Sequence, residues 1–281
     1  MTEPGKLILA ARPIGNFKDA SLRLIEALKT VELIAAEDTR KLKRLLTDLE
    51  ITTKARVISY FEENEITKIG LILDAVAKGQ NVLIISDAGT VTISDPGFKL
   101  VKKAISENVK LEVLPGASAP IAAITLSGFS TDEFTFLGFL PRKKSLREEK
   151  MQEIRDTKRT IIFFESPRRI LETLKDFRNY LAADRSLAIA REITKTYEEV
   201  VRGNLSELIT WAEKGVLGEL TIVVEGLKNR ETLDEKQAIE AVAKLIDSGL
   251  SHKDAVAKVA ATSGLAKRKL YQATLELTHE R

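Results

Sequence analysis

The stretch Val82-Leu83-Ile84-Ile85-Ser86-Asp87-Ala88-Gly89-Thr90-Val91-Thr92-Ile93-Ser94-Asp95-Pro96-Gly97 decides the fold. Its first five residues form a short, strongly apolar run bounded by turn residues, the signature of a buried strand. Gly89 lets the backbone turn sharply and approach a ligand closely. Ser94-Asp95-Pro96-Gly97 then opens a helix over 98–106, with Ser or Asp as N-cap and proline in the first helical position, where its missing N–H costs nothing. A strand running through a glycine turn into a helix is the unit of an α/β fold.

Working outward, the unit repeats. Strands at 7–11, 33–36, 56–59 and 111–114 alternate with helices at 20–29, 39–49 and 66–78, which predicts a mostly parallel sheet covered on both faces. Beyond Gly116 a second α/β domain is expected, with strands at 134–139, 160–164, 187–190, 198–202 and 220–225 and helices at 121–126, 168–180 and 205–214. Its strands lie closer together along the chain, so more antiparallel pairing is expected. The highly charged stretch 143–158 reads as an exposed helix or a mobile lid. After Gly226 come three helical segments, 234–247, 251–261 and 266–277, broken at Gly249 and Gly264. The expected organisation is an α/β domain over 1–115, a second over 116–228, and a helical tail over 229–281. The tail has a helix-turn-helix-like form, and its Lys267-Arg268-Lys269 suits either nucleic acid or a solvated face.

Composition narrows the chemistry. The 281 residues carry 44 Lys and Arg against 41 Asp and Glu, a net charge of +3 that neither requires nor excludes an anionic partner. With no cysteine, disulfides, thiolate metal sites and a cysteine nucleophile are excluded, which fits a cytoplasmic protein. The two histidines, His252 and His279, both lie in the tail, so neither a three-histidine metal site nor a Ser-His-Asp triad is expected, and no metal is assigned. No apolar run approaches the roughly 20 residues of a membrane-spanning helix.

Two further strand ends share the turn-then-helix device, at Pro115-Gly116-Ala117-Ser118 and at Glu165-Ser166-Pro167-Arg168. In an open α/β sheet such loops gather at the carboxyl ends of the strands, where ligands bind, although each taken alone is also an ordinary well-capped turn. Neither G-x-G-x-x-G nor a P-loop is present, and a pocket of prolines, glycines and small residues suits a flat, uncharged heterocycle. Glu37, Asp38, Asp87 and Glu165 stand at strand ends, where a carboxylate can orient a ribose, accept a proton, or simply cap a helix. Arg40, Lys41 and Arg44, Arg142 and Lys143, and Arg168 and Arg169 form basic clusters that read either as a phosphate track or as solvated helix faces.

Read in order, seven segments resemble one family. They are Pro13-Ile14-Gly15-Asn16, Ala35-Ala36-Glu37-Asp38-Thr39-Arg40, Ser86-Asp87-Ala88-Gly89-Thr90 and Ile93-Ser94-Asp95-Pro96-Gly97, then Gly138-Phe139-Leu140-Pro141-Arg142, Phe164-Glu165-Ser166-Pro167-Arg168-Arg169 and Ala190-Arg191-Glu192-Ile193-Thr194-Lys195. Spread over residues 6–226, they resemble the tetrapyrrole-methylase-like (class III) S-adenosylmethionine (SAM) methyltransferases, and within these the bacterial enzymes that methylate 16S rRNA. Arg12, Val91 and Ala117 depart from the pattern, which usually has Thr, Pro and Pro there.

The resemblance implies two α/β domains with SAM in the cleft between them, a homodimer, and 2′-O-methylation of a cytidine ribose in 16S rRNA of the small ribosomal subunit. It places the SAM pocket at Pro13, Ile14, Asp87, Ala88, Gly89, Thr90, Ser118, Ala119, Phe164, Arg191 and Leu220. The catalytic candidates are Asp38 and Glu165 as bases and Lys195, which would fix a flanking phosphate; Asp87 is a further candidate base that could instead hold the cofactor. Two other readings stay open: a SAM enzyme acting on a tetrapyrrole precursor, and a non-catalytic RNA-binding or assembly protein that keeps the fold.

Overall fold

In the computed structural model, which describes residues 3–227, 235–263 and 265–275, the first sheet contains β1 (Leu7–Ala10), β2 (Leu33–Ala36), β3 (Arg56–Ser59), β4 (Val82–Ile85) and β5 (Leu111–Leu114). The strand order is β3-β2-β4-β1-β5 and every pair is parallel, as the helical crossovers demand. Side chains alternate between the faces. Ile8, Ala10, Ile34, Ala36, Leu83 and Ile85 meet α1 (Leu22–Thr30) and α2 (Thr39–Asp48). Leu7, Leu33, Ala35, Val82 and Ile84 meet α3 (Glu65–Ala77) and α4 (Phe98–Ser106).

The chain then crosses to a second sheet. Its elements are α5 (Ala119–Ser127), β6 (Phe134–Phe139), α6 (Lys144–Asp156), β7 (Thr160–Glu165), α7 (Ile170–Phe177), β8 (Leu187–Arg191), β9 (Glu199–Gly203), α8 (Leu205–Ala212) and β10 (Leu220–Val224). The order is β6-β7-β10-β8-β9; β6 and β7 run parallel, and the remaining pairs are antiparallel. Helices α6, α7 and α8 cover one face around Phe163, Ile189 and Ile222. The other face, with Ile162, Ala188, Ala190 and Val223, receives α5.

The structure corrects several expectations. The charged stretch 143–158 is a helix with an exposed outer face, as one expectation had it, but its inner face is not free: α6 buries Met151 and Ile154 in the second core. Arg147, only 5% exposed, is held there by Glu172 at 2.5 Å and Asp176 at 2.7 Å. The spacing 147, 151, 154 is one helical stripe, and the surrounding charge obscures it. Nor do Ser94, Asp95 and Ser166 cap helices, because α4 starts after Gly97 and α7 after Arg169. Helix α5 begins at Ala119 with Ser118 as N-cap, earlier than expected, and carries Pro120 in its first turn.

Both sheets belong to one compact unit ending at Glu225, and a second unit begins at Gly226. The second contains α9 (Glu235–Asp247), α10 (His252–Ser263) and α11 (Lys267–Ala273), joined around Ala238, Val242, Ala255, Val256, Val259 and Leu270. The expected helix start at Asp234, the break at Gly264, the end of the last segment beyond 275 and His279 lie outside the described residues. Among the described residues no helix is long and apolar enough to cross a membrane.

Candidate active site

Strands β1 and β4 are neighbours whose chains leave in opposite directions. From β1 the chain goes to β2, beyond β4; from β4 it goes to β5, beyond β1. Such a reversal opens a crevice at the carboxyl ends of the two strands. The three loops that rim it are tied together. Arg12 and Gly89 exchange backbone hydrogen bonds at 2.8 and 3.0 Å. Thr90 Oγ1 donates to the Ala117 carbonyl at 3.3 Å, and a Cβ on Gly116 would stand 3.0 Å from that of Ala11. Gly89 sits at φ +72°, a conformation that favours glycine.

The second sheet closes one side. Ile14, 8% exposed, packs among Ala123, Ile124, Ile162 and Ile193. Asn16 N donates to Thr194 Oγ1 at 3.0 Å, and Gly15 lies so close that a Cβ would fall 2.4 Å from Lys195 Cγ. Pro13, Ile14, Asp87 to Thr90 and the Ala117–Ser118 turn are therefore drawn to one crevice. Register places Phe164, Arg191 and Leu220 together at one end of the second sheet, since Leu220 pairs with both Glu165 and Arg191 and Thr221 pairs with Phe164. Arg191 is engaged with Glu199 at 3.0 Å and with the Leu217 carbonyl at 3.3 Å. The Leu220 side chain is 3% exposed within the core under α6, α7 and α8, so only its backbone is available to a ligand.

The carboxylates differ sharply in state. Asp38 caps α2, accepts from Arg40 N at 2.8 Å and binds the Arg40 guanidinium at 2.7 and 3.0 Å. These bonds hold its pKa well below the usual carboxylate range and make it a weak base. Asp87 accepts from Asp38 N at 3.0 Å and from Lys41 Nζ at 2.7 Å, while its own N–H donates to Glu37 at 3.0 Å. Burial, then the charge of Asp87, pushes Glu37 up. Asp95, freed from capping, is pushed up to about 6 by burial and then by Glu37. Asp95 is the group that the sequence reading leaves without a role, because Ser94-Asp95-Pro96 reads so well as a helix start.

Its loop is strained and anchored. Thr92 and Ser94 lie at φ +75° and +64°, and strain of this kind persists only where the surroundings over-determine it. Glu65, 4% exposed, accepts from Gly97 N at 3.0 Å and Tyr60 OH at 2.9 Å and faces Lys99 Nζ at 3.4 Å.

Glu165 is enclosed. One carboxylate oxygen accepts from Ser166 N at 2.8 Å and faces Arg169 Nε at 3.5 Å, and the other accepts from Thr173 Oγ1 at 2.7 Å. With its side chain 0% exposed, it braces the start of α7 and offers no face to a substrate oxygen. Lys195 is paired with Glu192 at 2.8 Å and Glu219 at 2.9 Å. Burial alone would lower its pKa, and the two carboxylates reverse this. Among the expected phosphate contacts, Arg40, Lys41 and Arg44 each have an acidic partner, Asp38, Asp87 and Asp48 respectively. Arg142, Lys143 and Arg168 are exposed, and Arg169 reaches the carbonyls of Leu140 and Pro141 at 3.3 and 3.4 Å.

Known proteins give this crevice a context. Residues 6–209 match the family model described as tetrapyrrole (corrin/porphyrin) methylases, and residues 232–278 that described as the RsmI C-terminal HTH domain. Ribosomal RNA small subunit methyltransferase I of Mycobacterium tuberculosis is 44% identical, with 98% of this chain and 96% of that protein covered. The Bacillus subtilis protein of the same name is 40% identical, with 97% and 94% covered. Among solved structures, the methyltransferase CobJ superposes with a TM-score of 0.60 at 16% identity, covering 79% of this chain and 95% of that one. Uroporphyrin-III C-methyltransferase from Thermus thermophilus, solved with S-adenyl homocysteine, gives 0.56 at 14% identity, covering 78% and 97%. Likenesses this distant speak for the fold, whereas the curated relatives and the family model speak for descent: the chain belongs to the tetrapyrrole (corrin/porphyrin) methylase family.

Proposed function

We propose that the protein uses SAM to methylate the ribose 2′-oxygen of a cytidine in the 16S rRNA of the small ribosomal subunit. The observation that carries this reading is the span of the likeness to the ribosomal RNA methyltransferases, which takes in the crevice and the helical tail together.

The crevice suits the cofactor. Pro13, Ile14, Ala88, Gly89 and Thr90, with Ser118 and Ala119, offer small side chains and accessible backbone, and Phe164 and Arg191 lie at the end of the second sheet. Glu37, Asp87 and Asp95 set carboxylates beside the crevice, with Lys41 and Arg12 as their cations. When bound, SAM supplies an activated methyl group with its own leaving group. The chain must align the ribose oxygen, exclude water and take up the 2′ proton. With Asp38 held as a weak base and Glu165 enclosed, that proton goes to Asp95, which stands with Glu37 and Asp87 and is pushed up to about 6 by burial. Lys195 takes a flanking phosphate by exchanging it for the exposed Glu219. Arg142, Lys143, Arg168 and Arg169, with Arg40, Lys41 and Arg44, form the RNA track. The working unit is a cytoplasmic homodimer, which light scattering on the full chain tests.

The deciding experiment pairs calorimetric titration with SAM and methyl transfer to small subunits from cells lacking the enzyme. We expect one SAM per chain and a 2′-O-methylcytidine in the digested RNA. SAM binding without transfer to the subunits would overturn the reading.

A further inference from the structure

Strand β6 contains a defect with a purpose. It pairs in parallel register with β7 through Phe136 and Ile162, and then the register shifts so that Phe139 lies opposite Phe164. Leu137 and Gly138 thus face a single residue of β7, and Gly138 takes φ +66°. In a regular strand Phe136 and Phe139, three positions apart, would point to opposite faces; one extra residue returns both to the same face. Phe164 indeed meets both rings, Phe136 at 5.0 Å and Phe139 at 5.4 Å between centroids. The aromatic row ends in the open, because Phe139 is 58% exposed.

The row ends beside the crevice and among cations. A Cβ on Gly138 would press on Ser94 Oγ at 3.3 Å, so the bulge lies against the strained loop that carries Asp95. Leu140, next in sequence, is buried, and Arg169 binds its carbonyl and that of Pro141, which fixes the strand's exit. Arg142 and Lys143, three and four positions beyond Phe139, are exposed, and so is Arg168, the neighbour of the Arg169 that holds the strand's exit. An aromatic face flanked by cations is the arrangement that takes a base by stacking and its phosphates by charge.

We propose that Phe139 is the platform on which an unstacked base of the RNA substrate rests, next to the ribose that is methylated. The proposal rests on the reading of the chain as an RNA methyltransferase. Stacking on Phe139 holds a nucleotide out of its helix while Arg142, Lys143 and Arg168 neutralise the adjoining phosphates, so the ribose edge faces the crevice. The bulge supplies the orientation and Phe164 supplies the support.

The test compares the full-length protein with Phe139→Ala, Phe139→Leu and Phe139→Tyr. Steady-state methylation of small subunits from cells lacking the enzyme is read beside SAM titration and thermal unfolding. We expect Phe139→Ala and Phe139→Leu to raise KM for subunits about five- to 150-fold, the loss of one base–aromatic stack. Phe139→Tyr should stay near the parent value. SAM affinity and the slope of log affinity on log salt should be unchanged in all three, because neither the cofactor nor the phosphate contacts are touched. An unchanged KM in Phe139→Ala, or a leucine variant as good as the parent, would overturn the platform alone. A parallel fall in SAM affinity would overturn it in favour of a cofactor contact. If the parent protein itself transfers no methyl group to subunits, the functional reading falls and the platform with it.

Discussion

Arg12 and Gly89 each donate a backbone N–H to the other's carbonyl, at 2.8 and 3.0 Å, and this one antiparallel rung joins two loops that leave the parallel sheet in opposite directions. The rung leaves the Arg12 side chain free to turn away. Its guanidinium donates to the Lys41 carbonyl at 2.8 Å and lies in the field of Asp87 and Asp38. The Arg12 cation thus faces the acidic group.

Gly89→Ala should cost about 1 kcal/mol of stability, the penalty of a side chain in the left-handed region, and should weaken SAM binding with it. Gly70→Ala in α3 is the control. With nothing within 4 Å of the added methyl, it should gain about 0.5–1 kcal/mol and leave SAM affinity alone. Urea unfolding and calorimetric titration read both effects.

Gly15→Ala asks whether the contact between the two sheets matters for the pocket. The new Cβ would sit 2.4 Å from Lys195 Cγ and 3.0 Å from the Ile193 carbonyl, and the backbone carbonyl cannot swing away. We expect SAM affinity to fall by about tenfold or more, a displacement worth ~1.4 kcal/mol. An affinity equal to that of the parent protein would show that the loop after β1 does not need its anchor on Thr194.

Asp95→Asn should separate stability from catalysis. Its folded pKa is raised to about 6, so the native state holds a proton that the unfolded chain releases at lower pH. The stability this gives is complete below the ordinary aspartate value and is lost as pH rises through about 6. The asparagine variant escapes that loss and should be steadier than the parent at pH 7 by about 1 kcal/mol, a figure discounted for partial exposure. The same change should lower kcat by about 10²- to 10⁴-fold and abolish the rise in rate through pH 6. A full-rate variant would remove Asp95 from the reaction.

Arg147→Ala tests α6 as framework. Removing a guanidinium buried between Glu172 and Asp176 should cost about 3 kcal/mol, and Arg147→Met, which restores volume but strands the same carboxylates, should recover only part of it. Thermal unfolding reads the difference. An exposed lid would show neither loss.

The sheets were legible because their strands are short apolar runs that announce themselves locally. Leu33–Ala36, Arg56–Ser59 and Leu111–Leu114 fall where the sequence alone puts them. What depends on a distant partner was not legible. Nothing near Arg147 in the sequence points to Glu172 and Asp176, 25 and 29 positions away. Asp95 was hidden for a different reason. Ser94-Asp95-Pro96 satisfies every local rule for a helix start, yet the positive φ at Thr92 and Ser94 delays the helix and leaves the carboxylate beside Glu37. The bulge that turns Phe139 outward is marked in sequence only by Gly138.

The hydrogen bond from Asn16 to Thr194 spans 178 positions of the chain, which sets a timetable for synthesis. A ribosome adding about 5–20 residues per second delivers the second partner roughly 10 to 40 seconds after the first. For that interval the growing polypeptide can pair its first five strands, while the turn after β1 waits without its dock. On the proposed placing of the methyl donor, the ability to hold it arrives late in translation, and a chain released before Thr194 is made would carry the first sheet with the turn that follows β1 still unanchored.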